Sequence, residues 1–118
     1  MTPPSILIVD DHPSFRATAR ALLQAEGFNV IGEAVDGASA LVAIRELKPE
    51  VVLLDVQLPD TDGFAVAAEL TSSNGAPLVV LTSSRDRSDF GPLVSESGAR
   101  GFIAKAELSG PALTAILQ

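Results

Sequence analysis

Residues 51–63, VVLLDVQLPDTDG, carry four consecutive apolar side chains that end on a carboxylate and run into a loop holding Pro59 and Gly63. A strand that is apolar on both faces has to be covered on both sides, which is the arrangement of a parallel sheet flanked by helices. Such a strand delivers its last side chain to the carboxyl edge of the sheet, where open α/β folds place their ligands, so Asp55 is a candidate functional acid.

The rest of the chain repeats this plan. Residues 5–9 (SILIV) form an apolar run ending on Asp10, Asp11 and His12, and Pro13 suits the first turn of a helix. Phe15, Ala19, Leu22 and Leu23 share one helical face, and Gly27 is a natural stop. Residues 28–34 (FNVIGEA) read as an edge strand, Asp36-Gly37 as a turn, and Ala40, Leu41, Ile44 and Leu47 as a second helix closed by Lys48-Pro49. A third helix is expected after Gly63, then loop residues 72–77, then a strand over 78–81 ending on Thr82, Ser83 and Ser84. The charged stretch 85–91 precedes a short fourth helix expected over 92–97. A fifth strand over 101–104 ends on Lys105, and Ser109 and Pro111 open a last helix to Leu117. The pattern is (βα)5, a doubly wound parallel sheet with right-handed crossovers.

Several classes of function are excluded at this stage. The 118 residues suffice for one domain, and the 47% apolar content supplies an aliphatic core. A net charge of -7 argues against direct nucleic-acid binding, because an anionic surface repels phosphates. Without cysteine there is neither disulfide nor thiolate chemistry. No apolar stretch is long enough for a membrane span, and the MTPP start lacks the basic and apolar regions of a signal peptide, so a cytoplasmic protein with a short loose N-terminus is expected.

The predicted sheet collects Asp10, Asp11, Asp55, Thr82 and Lys105 at one edge, from four strands. Carboxylates held together repel, so they take up protons or bind a cation, and an all-oxygen cluster suits Mg²⁺. An Asp can then accept a phosphoryl group as an acyl phosphate while the metal, a Lys and a hydroxyl neutralise the transferring oxygens. Taken singly, each residue has a plainer reading: an Asp-Asp pair as a solvated turn, an Asp after a strand as a cap, a Lys as a surface charge. Their convergence favours the functional one. His12 reads as a surface residue at a helix start and receives no catalytic role, since no second His completes a site. Phe102 reads as core. The acids around Gly63 approach the spacing of a calcium loop, but Leu58 stands at the first ligand position and a strand precedes it, so an EF-hand is rejected.

Through ILIVDDHPSFR, AVDGASAL, VVLLDVQLPDTDG, VVLTSS and GARGFIAK the sequence resembles the receiver domain of bacterial two-component response regulators, over nearly the whole chain. DDHP and the GFIAK-AEL ending are similar to receivers joined to LuxR-type helix-turn-helix output domains. The resemblance implies the flavodoxin-like strand order 2-1-3-4-5. It implies Asp55 as phosphoacceptor, Asp11 as a direct Mg²⁺ ligand, Asp10 acting largely through water, and the Gln57 backbone carbonyl as a further ligand. Thr82 and Lys105 become phosphoryl contacts, with the Ser83 N–H beside them, and the Gln57 and Ser84 side chains tune phosphate lifetime. Thr82 and Phe102 become the switch pair.

The implied partners are a histidine kinase or phosphotransfer protein, and an output domain or effector that reads the face of the fourth helix, fifth strand and fifth helix, with homodimerisation left open. The implied activity is that of a phosphoacceptor in transcription regulation that assists its own phosphorylation and dephosphorylation, not of an enzyme. Residues 1–118 are expected to form the receiver alone, with no output domain encoded. Three features depart from the pattern: Ala106 after Lys105 where many receivers have a cis Pro, Gly91-Pro92 shortening the fourth helix, and a last helix of about two turns. The alternatives are a receiver-like interaction module that works without phosphorylation, an aspartyl phosphatase and a flavin module. A phosphatase wants a cap and a second Asp where His12 stands. A flavin wants a hydroxyl- and Gly-rich loop where this chain has acids.

Overall fold

The computed structural model describes residues 3–72 and 74–118; Met1, Thr2 and Ser73, which belong to the expected loose N-terminus and the 72–77 loop, lie outside it. Five strands, β1 (Ser5–Val9), β2 (Asn29–Ala34), β3 (Val51–Asp55), β4 (Leu78–Ser83) and β5 (Gly101–Ala104), alternate with helices α1 (Pro13–Ala25), α2 (Gly37–Leu47), α3 (Gly63–Thr71), α4 (Leu93–Glu96) and α5 (Gly110–Leu117). The strands pair in parallel in the order 2-1-3-4-5. β3 lies at the centre and all five of its residues are buried, which is why its sequence is apolar without alternation.

Side chains leave the sheet alternately and fill two separate cores. Ile6, Ile8, Val51, Leu53, Val80 and Ile103 meet Ala19 and Leu23 of α1 and Leu113 of α5. Leu7, Val9, Val52, Leu54, Val79 and Leu81 meet Ala40 of α2, Val66, Ala67 and Leu70 of α3, and Val94 of α4. With both faces occupied, the carboxyl edge is the free margin where polar strand ends can gather. No helix among the described residues is long and apolar enough to cross a membrane.

Local chemistry sets the helix starts. Pro13 opens α1, and the Asp36 carboxylate accepts the Ser39 N–H at 2.8 Å in a capping box that opens α2. The Asp36-Gly37 turn expected from sequence is thus the entry to a helix. Asp62 caps α3 through the Ala65 N–H at 2.7 Å, and Ser109 caps α5 through Ala112 at 3.0 Å.

The fourth crossover differs from expectation. α4 is a single turn, Leu93–Glu96, inside the 92–97 expected, and a 3-10 turn, Arg87–Phe90, occupies part of the charged stretch 85–91. Gly91, at φ 56°, separates the two, and Gly98, at φ 83°, ends the segment. The 3-10 turn delivers Phe90 between Phe64 of α3 and Phe102 of β5, with ring centroids 5.4 and 5.8 Å apart. Arg85 lies over the Phe90 ring at 5.4 Å. Phe102 is therefore only half-buried and belongs to an aromatic row at the edge of the core. Phe28, read as part of β2, instead closes α1, donating its N–H to the Leu23 carbonyl at 3.0 Å. No described peptide bond is cis, so Lys105-Ala106 is trans, and a 3-10 turn over Lys105–Glu107 leads toward α5.

Candidate functional site

Asp10 and Asp11 follow β1, Asp55 ends β3, Thr82 is the ladder partner of Asp55 on β4, and Lys105 follows β5. Four neighbouring strands thus end at one place. The Lys105 ammonium lies 2.6 Å from Oδ2 of Asp10 and 3.1 Å from Oδ2 of Asp55, and 4.7 Å from the centre of the Phe15 ring. Asp10 is fully buried and Asp55 nearly so, while Asp11 stands at the solvent side. Donor atoms of Asp10, Asp11, His12 and Asp55 all lie within 4.8 Å of one another. His12 was excluded on sequence grounds, yet its Nδ1 is 2.9 Å from Asp10 Oδ1 and 3.2 Å from Asp11 Oδ1. Nothing in the chain flags this except adjacency to the two acids at a helix start.

Charge and burial compete at the two deep carboxyls. Burial pushes Asp10 up, but the Lys105 ammonium and the N–H and ring of His12 outweigh it and hold Asp10 below its ordinary value. Burial also raises Asp55, and the Asp10 charge adds to the rise against the Gln57 N–H, 3.2 Å from Asp55 Oδ1, and Lys105. Burial lowers Lys105, yet its two carboxylate partners more than compensate and raise it. Asp55 is therefore the less acidic of the pair and the one that gains most from an added cation.

The loop that carries Gln57 is fixed from outside the site. Asp60 accepts the N–H groups of Gly37 and Ala38 at 2.8 and 3.0 Å, stitching the loop to the start of α2, and these two bonds hold its carboxyl below the ordinary range. Gly63 donates to the Val56 carbonyl at 2.6 Å, so α3 begins against the strand end that bears Asp55. Asp60, Asp62 and Gly63, weighed in sequence as a calcium loop, are thus caps and a close contact. On the far side, Arg16 donates to the Asp10 carbonyl at 2.7 Å and pairs with Glu33 at 3.0 Å, and Arg20 pairs with the other Glu33 oxygen at 2.7 Å. Those two guanidinium groups, Arg20 foremost, lower the Glu33 carboxyl.

The donor set fits a small hard cation: carboxylates at close range, with the exposed Gln57 beside them. The Thr82 hydroxyl, 1% exposed and without a hydrogen-bond partner, leaves the sheet at the position paired with Asp55. A buried unpaired hydroxyl costs stability unless something at the site uses it. Ser83 is buried and its hydroxyl accepts the Arg85 N–H at 3.0 Å, whereas Gln57 and Ser84 are exposed. Phe102 sits apart from the acids, in the aromatic row.

A sequence profile described as the response regulator receiver domain matches residues 6–118. The chain belongs to that family. This receiver domain is 44% identical over 102 residues to the DNA-binding response regulator MtrA of Mycolicibacterium smegmatis, covering 85% of the chain and 43% of MtrA. It is 44% identical over 103 residues to the transcription regulator BvgA of Bordetella pertussis, covering 86% of the chain and 49% of BvgA. The receiver thus spans about half the length of the relatives it matches. Among solved structures it superposes on the signal receiver domain of NarL from Mycobacterium tuberculosis with a TM-score of 0.85 at 35% identity, covering 99% and 98% of the two chains. A LuxR-family response regulator from Aurantimonas sp. SI85-9A1 gives 0.84 at 31% identity, over 98% and 85%. The chemotaxis regulator CheY4 of Vibrio cholerae, at 24% identity and a TM-score of 0.82 over 99% and 98%, shares the fold. Receiver domains of two-component systems work with histidine kinases and output domains; of the relatives named, BvgA is described as a transcription regulator and MtrA as a DNA-binding response regulator.

Proposed function

We propose that this receiver takes a phosphoryl group from the phosphohistidine of a kinase or phosphotransfer protein onto Asp55 and passes the signal to an output domain that regulates transcription. The observation that carries this is the pairing of a deeply seated Asp55 with Lys105 at 3.1 Å inside a cluster of further acids. An Asp55 carboxylate oxygen attacks phosphorus, the bond from phosphorus to the donor nitrogen breaks, and the imidazole departs with its electron pair. Lys105 follows one transferring oxygen, while the Thr82 hydroxyl and the Ser83 N–H take others. Asp11, Asp55 and the Gln57 carbonyl would hold Mg²⁺, with Asp10 behind them, and the ion would supply positive charge that offsets the repulsion between the carboxylates and the incoming phosphoryl group. Gln57 and Ser84, both exposed, govern how readily water removes the phosphate. The domain works as a single unit whose output face is α4, β5 and α5.

The modification adds a charge of about -1.5 to -2 at neutral pH. Its readout runs from Thr82 along β4 to Phe102, the ladder partner of Leu81, and from there to Phe90. Thr82→Val tests this step. Removing an unpartnered buried hydroxyl leaves the stability of the free domain unchanged or raises it by about 1 kcal/mol. The variant is still phosphorylated by acetyl phosphate, more slowly, but the amide resonances of residues 90 and 102 no longer shift. A variant whose resonances shift as in the wild type would remove Thr82 from the switch. Failure of the wild type to take up phosphate would remove the reading itself.

A further inference from the structure

We infer that Phe15 is a positioning residue for Lys105: the face of its ring holds the ammonium against the acid cluster and keeps hold of it as the ammonium moves from the Asp55 carboxylate to a phosphoryl oxygen. This deepens the reading of Asp55 as phosphoacceptor and rests on it, and it brings in an apolar residue that the acids, hydroxyl and lysine do not call for.

Lys105 carries its charge at the end of a flexible stem, so something at that end has to fix where the charge sits. Three groups surround it. Oδ2 of Asp10 lies at 2.6 Å and Oδ2 of Asp55 at 3.1 Å, and the ammonium stands over the Phe15 ring at 4.7 Å from its centre, inside the roughly 6 Å over which an aromatic face attracts a cation. Only 15% of the lysine side chain is exposed, and the ring covers a side of the ammonium that water would otherwise occupy.

The ring itself is firmly seated. Phe15 lies in the first turn of α1 and packs against the core shared by α1 and α5. Pro13 opens that turn, and the next residue, Arg16, donates to the Asp10 carbonyl at 2.7 Å and pairs with Glu33 of β2 at 3.0 Å, which ties the turn to the ends of two strands. An aromatic face suits a charge that has to travel, because its pull on a cation is broad, whereas a hydrogen bond weakens steeply once its angle closes. When a phosphoryl group on Asp55 draws the ammonium away from Oδ2, Lys105 exchanges one oxygen for another and stays over the ring. With the ring weakened, the ammonium settles on Asp10, the shorter of its two carboxylate contacts, and away from the incoming oxygens. Packing alone explains an apolar residue at this position, but not the charge lying over its face.

The test drains the ring of electrons at nearly constant shape. Mono-, di- and trifluorinated phenylalanine are placed at residue 15 alone, beside Phe15→Leu and Phe15→Tyr, and two quantities are read in the whole chain: the rate of labelling by acetyl phosphate with Mg²⁺, and the upfield ring-current shift of the Lys105 ε-methylene protons. The labelling rate is expected to fall with each added fluorine, by about fivefold across the set, to fall at least as far in Phe15→Leu and to stay within about twofold of wild type in Phe15→Tyr. The ring-current shift is expected in the wild type and in Phe15→Tyr and absent from Phe15→Leu. Equal rates across the fluorinated rings, whatever Phe15→Leu does, would overturn the inference and leave Phe15 a packing residue. Lys105 protons without a ring-current shift in the wild type would overturn it as well. A wild type that takes up no phosphate at all is a different failure: it removes the phosphoacceptor reading, and this inference with it.

Discussion

Lys105→Met is expected to slow acyl-phosphate formation at Asp55 by about 10²–10³-fold, because it deletes the fixed positive charge nearest the transferring oxygens. The same change leaves Asp10 and Asp55 buried side by side without their counter-ion. Breaking a buried pair costs about 3–5 kcal/mol, and the lower end applies here because the lysine side chain keeps 15% exposure. The cost depends on pH. In the wild type the raised Lys105 pKa makes its contribution complete below 10.5 and lost only as pH climbs through the folded value. In the variant both carboxyls titrate above their unfolded value, so the native state holds extra protons and stability falls as pH rises beyond about 4. Urea unfolding should therefore show the two proteins close together in acid and furthest apart near neutrality, with Mg²⁺ narrowing the gap. A constant difference from pH 4 to 8 would mean that the ammonium is not what keeps the carboxylates ionised.

Gly63→Ala is the second large effect, and its cause is space. A Cβ at Gly63 would overlap the Asp55 carbonyl oxygen and lie 2.8 Å from the Val56 Cα, both main-chain atoms that cannot rotate aside. Either α3 retreats or the end of β3 shifts. Overpacking of this kind costs about 1–3 kcal/mol, which lowers the melting temperature of a domain this size by roughly 5–15 °C. Asp55 rides on the displaced backbone, and a misplacement of about 1 Å can cost about 10²-fold in a positioned reaction. Thermal unfolding and the rate of labelling by acetyl phosphate should fall together. A variant that labels at the wild-type rate would show that α3 yields and the strand does not.

Gly63 also marks where reading the chain stops short. It was read as the last residue of the loop after Asp55, whereas its function is to let a helix start against the main chain of a strand eight residues earlier, a contact that exists only once both are packed. The buried runs of β1, β3 and β4 were legible because a strand covered on both faces is apolar throughout, the acids and Thr82 because they end those runs, and Lys105 because it follows the short apolar stretch of β5. Asp60 was not, since its partners Gly37 and Ala38 are 23 and 22 residues away. Phe90 was hidden among charged neighbours, and a single apolar residue in a 3-10 turn has no periodicity to betray it. His12 was set aside because one imidazole seldom completes a site. The fold turns its ring onto Asp10 and Asp11, the acids just before it.

The proposal that Asp55 is the phosphoacceptor meets its most direct test in the intact mass of the protein after acetyl phosphate, with Mg²⁺ and with EDTA, in wild type and Asp55→Asn. The account predicts one phosphate per chain in the wild type, dependent on Mg²⁺, removed by hydroxylamine and absent from Asp55→Asn. A stoichiometric, hydroxylamine-labile phosphate that persists in Asp55→Asn, or a folded, Mg²⁺-binding wild type that takes up none, would contradict it.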